Sequence, residues 1–137
     1  MPNPRYMTPE GEPTVELLQK LTRAKQVFYG NLEWFCEKWG YDAQELKIVE
    51  GVYLIGSHAK EQGWNDETSD LDFKIVNSQA LPESLHRYKR EVLNRLLNQG
   101  DKKRWIDLYF SQRSDQVLPP SWDLTEYWKR LELVQQE

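Results

Sequence analysis

In the run SDLDFKIV, Leu71, Phe73 and Ile75 alternate with Asp70, Asp72 and Lys74, and a period of two reads as a half-buried strand. Successive side chains of a β-strand point to opposite faces, so the three apolar groups enter a core while both carboxylates share the other face. Two carboxylates held side by side repel unless a cation sits between them, and a hard divalent ion that prefers oxygen is the usual answer.

Upstream, Val52, Tyr53, Leu54 and Ile55 form an apolar run that stops at Gly56-Ser57. This reads as a strand turning straight into a helix, whose unpaired N–H groups and aligned dipoles favour an anion. Gly56 lets the backbone approach that anion, and the Ser57 hydroxyl either caps the helix or holds a phosphate oxygen. Downstream, RWIDLYFS puts Ile106, Leu108 and Phe110 on one face and Asp107, with Trp105 and Tyr109, on the other. If that strand lies beside the first, about 4.8 Å away, Asp107 joins the carboxylates. Three acids on one sheet face suit phosphoryl or nucleotidyl transfer with two metal ions.

The remaining pattern supplies helices to cover such a sheet. Residues 1–13 hold four prolines and no apolar periodicity, which predicts a disordered lead-in. From 14 to 39, Leu17, Leu21, Ala24, Phe28, Leu32, Phe35 and Trp39 recur every three or four residues, as in one amphipathic helix ended by Gly40. Asp42 to Leu46 adds a short helical turn with Asp42 and Glu45 spaced like a capping box, and 48–55 is the first strand, interrupted at Gly51. Residues 81–99 read as a second long helix with Pro82 in its first turn and Leu85, Tyr88, Val92, Leu96 and Leu97 inward. After Pro119-Pro120, residues 121–136 read as a last helix, packed on the same domain. The expected organisation is one domain of mixed α+β class over 14–118, a small mixed sheet with flanking helices, plus the helix of 119–137.

Composition narrows the partners. At 137 residues there is room for one core but not for a catalytic domain and a separate acceptor domain. A net charge of −4 disfavours a long nucleic acid, although Arg87, Lys89, Arg90 and Lys102, Lys103, Arg104 are local basic spots. A single Cys36 leaves no internal disulfide, and no run is apolar enough for a membrane span or signal peptide, which together point to a soluble cytoplasmic protein.

The order GSHA, SDLDF, IDLYF resembles the nucleotidyltransferases of the DNA polymerase beta superfamily, in particular the small minimal nucleotidyltransferases. Gly56, Ser57 and Ala59 match the Gly-Ser turn, Asp70 and Asp72 the Asp-x-Asp that follows, and Asp107 the third acid on a later strand. The resemblance covers roughly residues 49–112. It implies the nucleotidyltransferase fold and transfer of a nucleoside monophosphate, AMP being the expected one, from a triphosphate to a hydroxyl, with release of pyrophosphate. It implies two Mg2+ ions, replaceable by Mn2+, on Asp70, Asp72 and Asp107, and ATP phosphates on Gly56, Ser57 and Lys60. Many relatives carry a basic residue and then a glycine after the small residue, whereas here Ala59-Lys60 leads into Glu61-Gln62 before Gly63. Family members of this size are often paired with a small helical toxin, so the alternative is an antitoxin-like module that neutralises a partner by binding. His58 reads as a surface or packing residue rather than a base, and Lys74 as an exposed strand lysine. Trp64 is a candidate to stack on a base, and Trp105 and Tyr109 either line the nucleotide cleft or are covered by the last helix.

Overall fold

The chain, as a computed structural model, is described at residues 2–60, 64, 70–98 and 106–131. Strands β1 (Gly51–Ile55), β2 (Leu71–Val76), β3 (Ile106–Ser111) and β4 (Trp122–Asp123) form one mixed sheet in the order β3-β2-β1-β4. β1 runs antiparallel to β2 and β4, whereas β2 and β3 are parallel. Parallel neighbours need a crossover connection. It is made by a helix that runs without a break through α4 (Pro82–Tyr88), a π-helical stretch Lys89–Leu93, and α5 (Asn94–Leu97). The architecture is therefore α+β, a four-stranded mixed sheet with helices beside it.

The period of two sorts the sheet residues as its chemistry requires. Leu71, Phe73 and Ile75 are 2% exposed or less, and across the register they meet Leu54 and Val52 on β1 and Ile106 and Leu108 on β3. Helix α1 (Val15–Gly30) lays Leu17, Leu21, Ala24 and Phe28 into the same core, each fully buried. A buried Leu or Phe contributes roughly 1.5–3 kcal/mol relative to leaving it in water. The Tyr88 hydroxyl donates to the Phe28 carbonyl, joining the crossover helix to α1.

Several elements depart from the sequence reading. The proline-rich opening is not a loose lead-in: Met7 is 1% exposed, Met7 bridges Pro13, and the Asn3 amide donates to the His58 carbonyl at 3.2 Å. Tertiary contacts pin the segment, so it needs no periodicity of its own. The expected single helix over 14–39 breaks at Asn31 into α1 and α2 (Leu32–Trp39), because Gly30 and Asn31 are weak helix formers and the Asn31 side chain donates back to the Val27 carbonyl. Gly40 ends α2 in the left-handed conformation. In α3 (Ala43–Leu46), the Asp42 carboxylate caps Gln44 N–H. The first strand starts at Gly51, not at 48. The last helix, α6, spans only Thr125–Arg130, since Trp122 and Asp123 pair with β1 instead; residues 132–136 of the expected helix and residue 99 of the earlier one lie outside the described residues. No helix among the described residues is long and apolar enough to cross a membrane.

Candidate metal centre

Two strand starts and one glycine turn build the site. Asp70 immediately precedes β2, Asp72 is its second residue, and the parallel register sets Asp72 opposite Asp107 on β3. One oxygen from each of Asp70, Asp72 and Asp107 lies within 4.8 Å of the others. Two unit charges at that separation repel by roughly 3–4 kcal/mol at an effective dielectric of about 20. Asp107 is no solvated strand residue, being 3% exposed, so its charge must be met locally.

Part of that balance comes from Lys89, the first residue of the π-helical stretch. Its Nζ lies 2.8 Å from Asp107 Oδ1 and 4.0 Å from the centre of the Tyr109 ring. Within the described residues β3 is an edge strand, which leaves a path for the lysine to the face that Asp107 and Tyr109 share. Partial burial, followed by the charges of Asp107 and Asp72, pushes the Tyr109 hydroxyl up to about 12. Tyr109 itself is 39% exposed, so this face meets solvent.

Gly56 adjoins the acids for a steric reason. Its φ is +74°, and a Cβ there would overlap Asp72 Oδ2 and lie 3.1 Å from Asp72 Cγ. The close approach that requires glycine is thus to the Asp72 carboxylate. The helix expected to open at Ser57 is a single 3-10 turn, Ser57–Ala59, so the extended dipole expected to draw a phosphate is not formed. Ser57 is half-buried and Lys60 exposed at the turn's end.

Both sides of the turn are fixed. Asn3 Nδ2 is 2.9 Å from His58 Nδ1, the Tyr6 ring meets the His58 ring edge-on, and Trp122 Nε1 donates to the Ala59 carbonyl at 3.1 Å. His58, 1% exposed, is a packing residue of this clamp.

Three hard oxygen donors converging on a partly open face fit a divalent cation of the Mg2+ or Mn2+ type. Lys74, on the same face, is half-buried and pairs with Tyr53 and Tyr109. Trp105, with Lys102, Lys103 and Arg104, lies outside the described residues, as does the loop 61–69 apart from Trp64. Sequence reasoning listed Lys89 only as a basic spot. The missed signal is its place on the inward stripe, four residues from Leu85 and four from Leu93, both buried. No family model, curated protein or solved structure matches the chain.

Proposed function

We infer that the chain is a metal-dependent nucleotidyltransferase that moves a nucleoside monophosphate, AMP in the first instance, from a nucleoside triphosphate to a hydroxyl acceptor. The observation that carries this reading is the convergence of Asp70, Asp72 and Asp107 beside Gly56, with one carboxylate oxygen from each within 4.8 Å. A binding module has no use for three crowded carboxylates, whose repulsion disfavours folding; phosphoryl chemistry does. Asp70, Asp72 and Asp107 would hold Mg2+ or Mn2+, which when bound stabilises charge on the transferring phosphoryl group and lowers the pKa of the acceptor hydroxyl.

The acceptor oxygen forms a bond to the α-phosphorus as the bond to the β-phosphate bridge breaks, and pyrophosphate leaves. A carboxylate of the group takes the hydroxyl proton. Gly56 keeps the Asp72 carboxylate close to the turn, and the 3-10 turn with Ser57 and Lys60 borders the triphosphate. Tyr109 supplies a partly exposed aromatic face on the same side.

The test is incubation of the wild type and of an Asp70→Asn, Asp72→Asn double variant with each α-labelled triphosphate, Mg2+ and a lysate of the source cell. Label moving to one species with wild type alone supports the reading and names donor and acceptor together. No transfer with any donor overturns it.

One observation favours a second role, binding of a partner protein. Trp34 and Trp39 on α2 are 56% and 37% exposed, more aromatic surface than a solvated helix needs. In an antitoxin-like module that surface, not the acids, carries the function, and Trp34→Ala with Trp39→Ala removes it while nucleotide transfer stays unchanged.

A further inference from the structure

Tyr109 brings a hydroxyl of the protein itself to the carboxylate group. On β3 it stands two residues beyond Asp107, so the alternation of the strand sends both side chains to one face, and across the parallel register it lies opposite Lys74. A cation holds the ring there. Lys89 Nζ lies 4.0 Å from the ring centre and 2.8 Å from Asp107 Oδ1. The phenol donates a hydrogen bond to the Asp107 side chain, with Asp72 and Asp70 near enough to act on the same group. Tyr109 is nevertheless 39% exposed, and so is open to a ligand that enters from solvent.

A hydroxyl acceptor has to meet the same conditions. Its oxygen must lie against a carboxylate that takes the proton, beside the group at which the triphosphate reacts. A dissolved acceptor must first be captured and oriented, whereas this phenol is already in place.

We propose that the chain nucleotidylates itself on Tyr109. The proposal rests on the nucleotidyltransferase reading and deepens it by naming one acceptor, a phenol of the protein. The phenolic oxygen forms a bond to the α-phosphorus, the bond from that phosphorus to the bridging oxygen breaks, and its electron pair leaves with pyrophosphate. The phenol proton passes to the Asp107 carboxylate. The product is an AMP phosphodiester standing over the acids, which blocks them against a further triphosphate and so limits transfer to other acceptors.

Intact-mass spectrometry of the purified full chain after incubation with ATP and Mg2+, followed by peptide mapping, tests this. Wild type is expected to gain one AMP, mapped to Tyr109, and to gain none in EDTA. Tyr109→Phe, which lacks only the acceptor oxygen, is expected to gain none. AMP on another residue, Ser57 or Lys89 for example, overturns the proposal, as does equal modification of Tyr109→Phe. Wild type that stays unmodified while it moves AMP to a species in the lysate overturns self-transfer and leaves the nucleotidyltransferase reading intact. Wild type that neither modifies itself nor labels any lysate species removes both. The peptide map of the wild type stands whether or not the variant folds.

Discussion

Asp72 on β2 lies directly opposite Asp107 on β3 in a parallel register, so two carboxylates face each other across neighbouring strands. Like charges so placed destabilise a sheet. Asp72→Asn is therefore expected to raise the stability of the metal-free protein by about 1 kcal/mol. It should also lower the proposed nucleotide transfer by about two orders of magnitude or more. Urea denaturation in EDTA and the labelled-triphosphate assay check the two halves; a variant less stable than wild type would mean the pair is held for structure.

Gly56→Ala tests the contact between the turn and the Asp72 carboxylate. With φ at +74° and the added Cβ overlapping the Asp72 carboxylate, the substitution should cost about 1–3 kcal/mol. Combining it with Asp72→Ala removes the overlapping atoms, so the double variant should lose less than the two single losses added together. A double-mutant cycle measured by urea denaturation gives the coupling, and strict additivity would place the strain elsewhere.

The opening segment belongs to the fold. Met7 is 1% exposed within the core, so Met7→Ala is expected to destabilise the protein by about 2–4 kcal/mol. A disordered lead-in would give a change within the error of a urea melt.

Alkaline pH reports on the same carboxylates through Tyr109. In the unfolded chain a tyrosine ionises near 10, whereas in the folded protein this one is pushed up to about 12 by partial burial and by Asp107 and Asp72. Between those values the folded state binds more protons than the unfolded one, so stability falls as pH rises from about 10 to about 12, and the contribution is complete below 10. Burial also pushes the Tyr29, Tyr53 and Tyr88 hydroxyls up, which adds to the slope. Tyr109→Phe should shallow it, and ultraviolet titration of the phenols should lose one late-ionising group.

The strands that carry the acids were legible because they are half-buried: a period of two in SDLDFKIV and RWIDLYFS fixes the face of every residue, and the structure places Leu71, Phe73, Ile75, Ile106 and Leu108 inward. What pairs with them was less so. Trp122 counts as apolar content of the expected last helix, yet it and Asp123 form β4 and pair with Leu54 and Tyr53 on β1, a contact set by tertiary packing and invisible to a local window. At the Gly56-Ser57 turn the expected helix is a 3-10 turn among the described residues, and the glycine has a steric role that a local window does not show, the close approach of the Asp72 carboxylate. Lys89 escaped because a lysine on an apolar stripe reads as solvated unless the opposing carboxylate is known to be within reach.

The clamp on the Ser57–Ala59 turn has a consequence for how the protein matures during synthesis. Asn3, which steadies His58, emerges from the ribosome first, whereas Trp122, which holds the Ala59 carbonyl, emerges more than sixty residues after the turn itself. Nascent chains arrested before Trp122 would already contain all three acids but only one of the two braces, so the site would reach its final shape only once the β4 segment has been made.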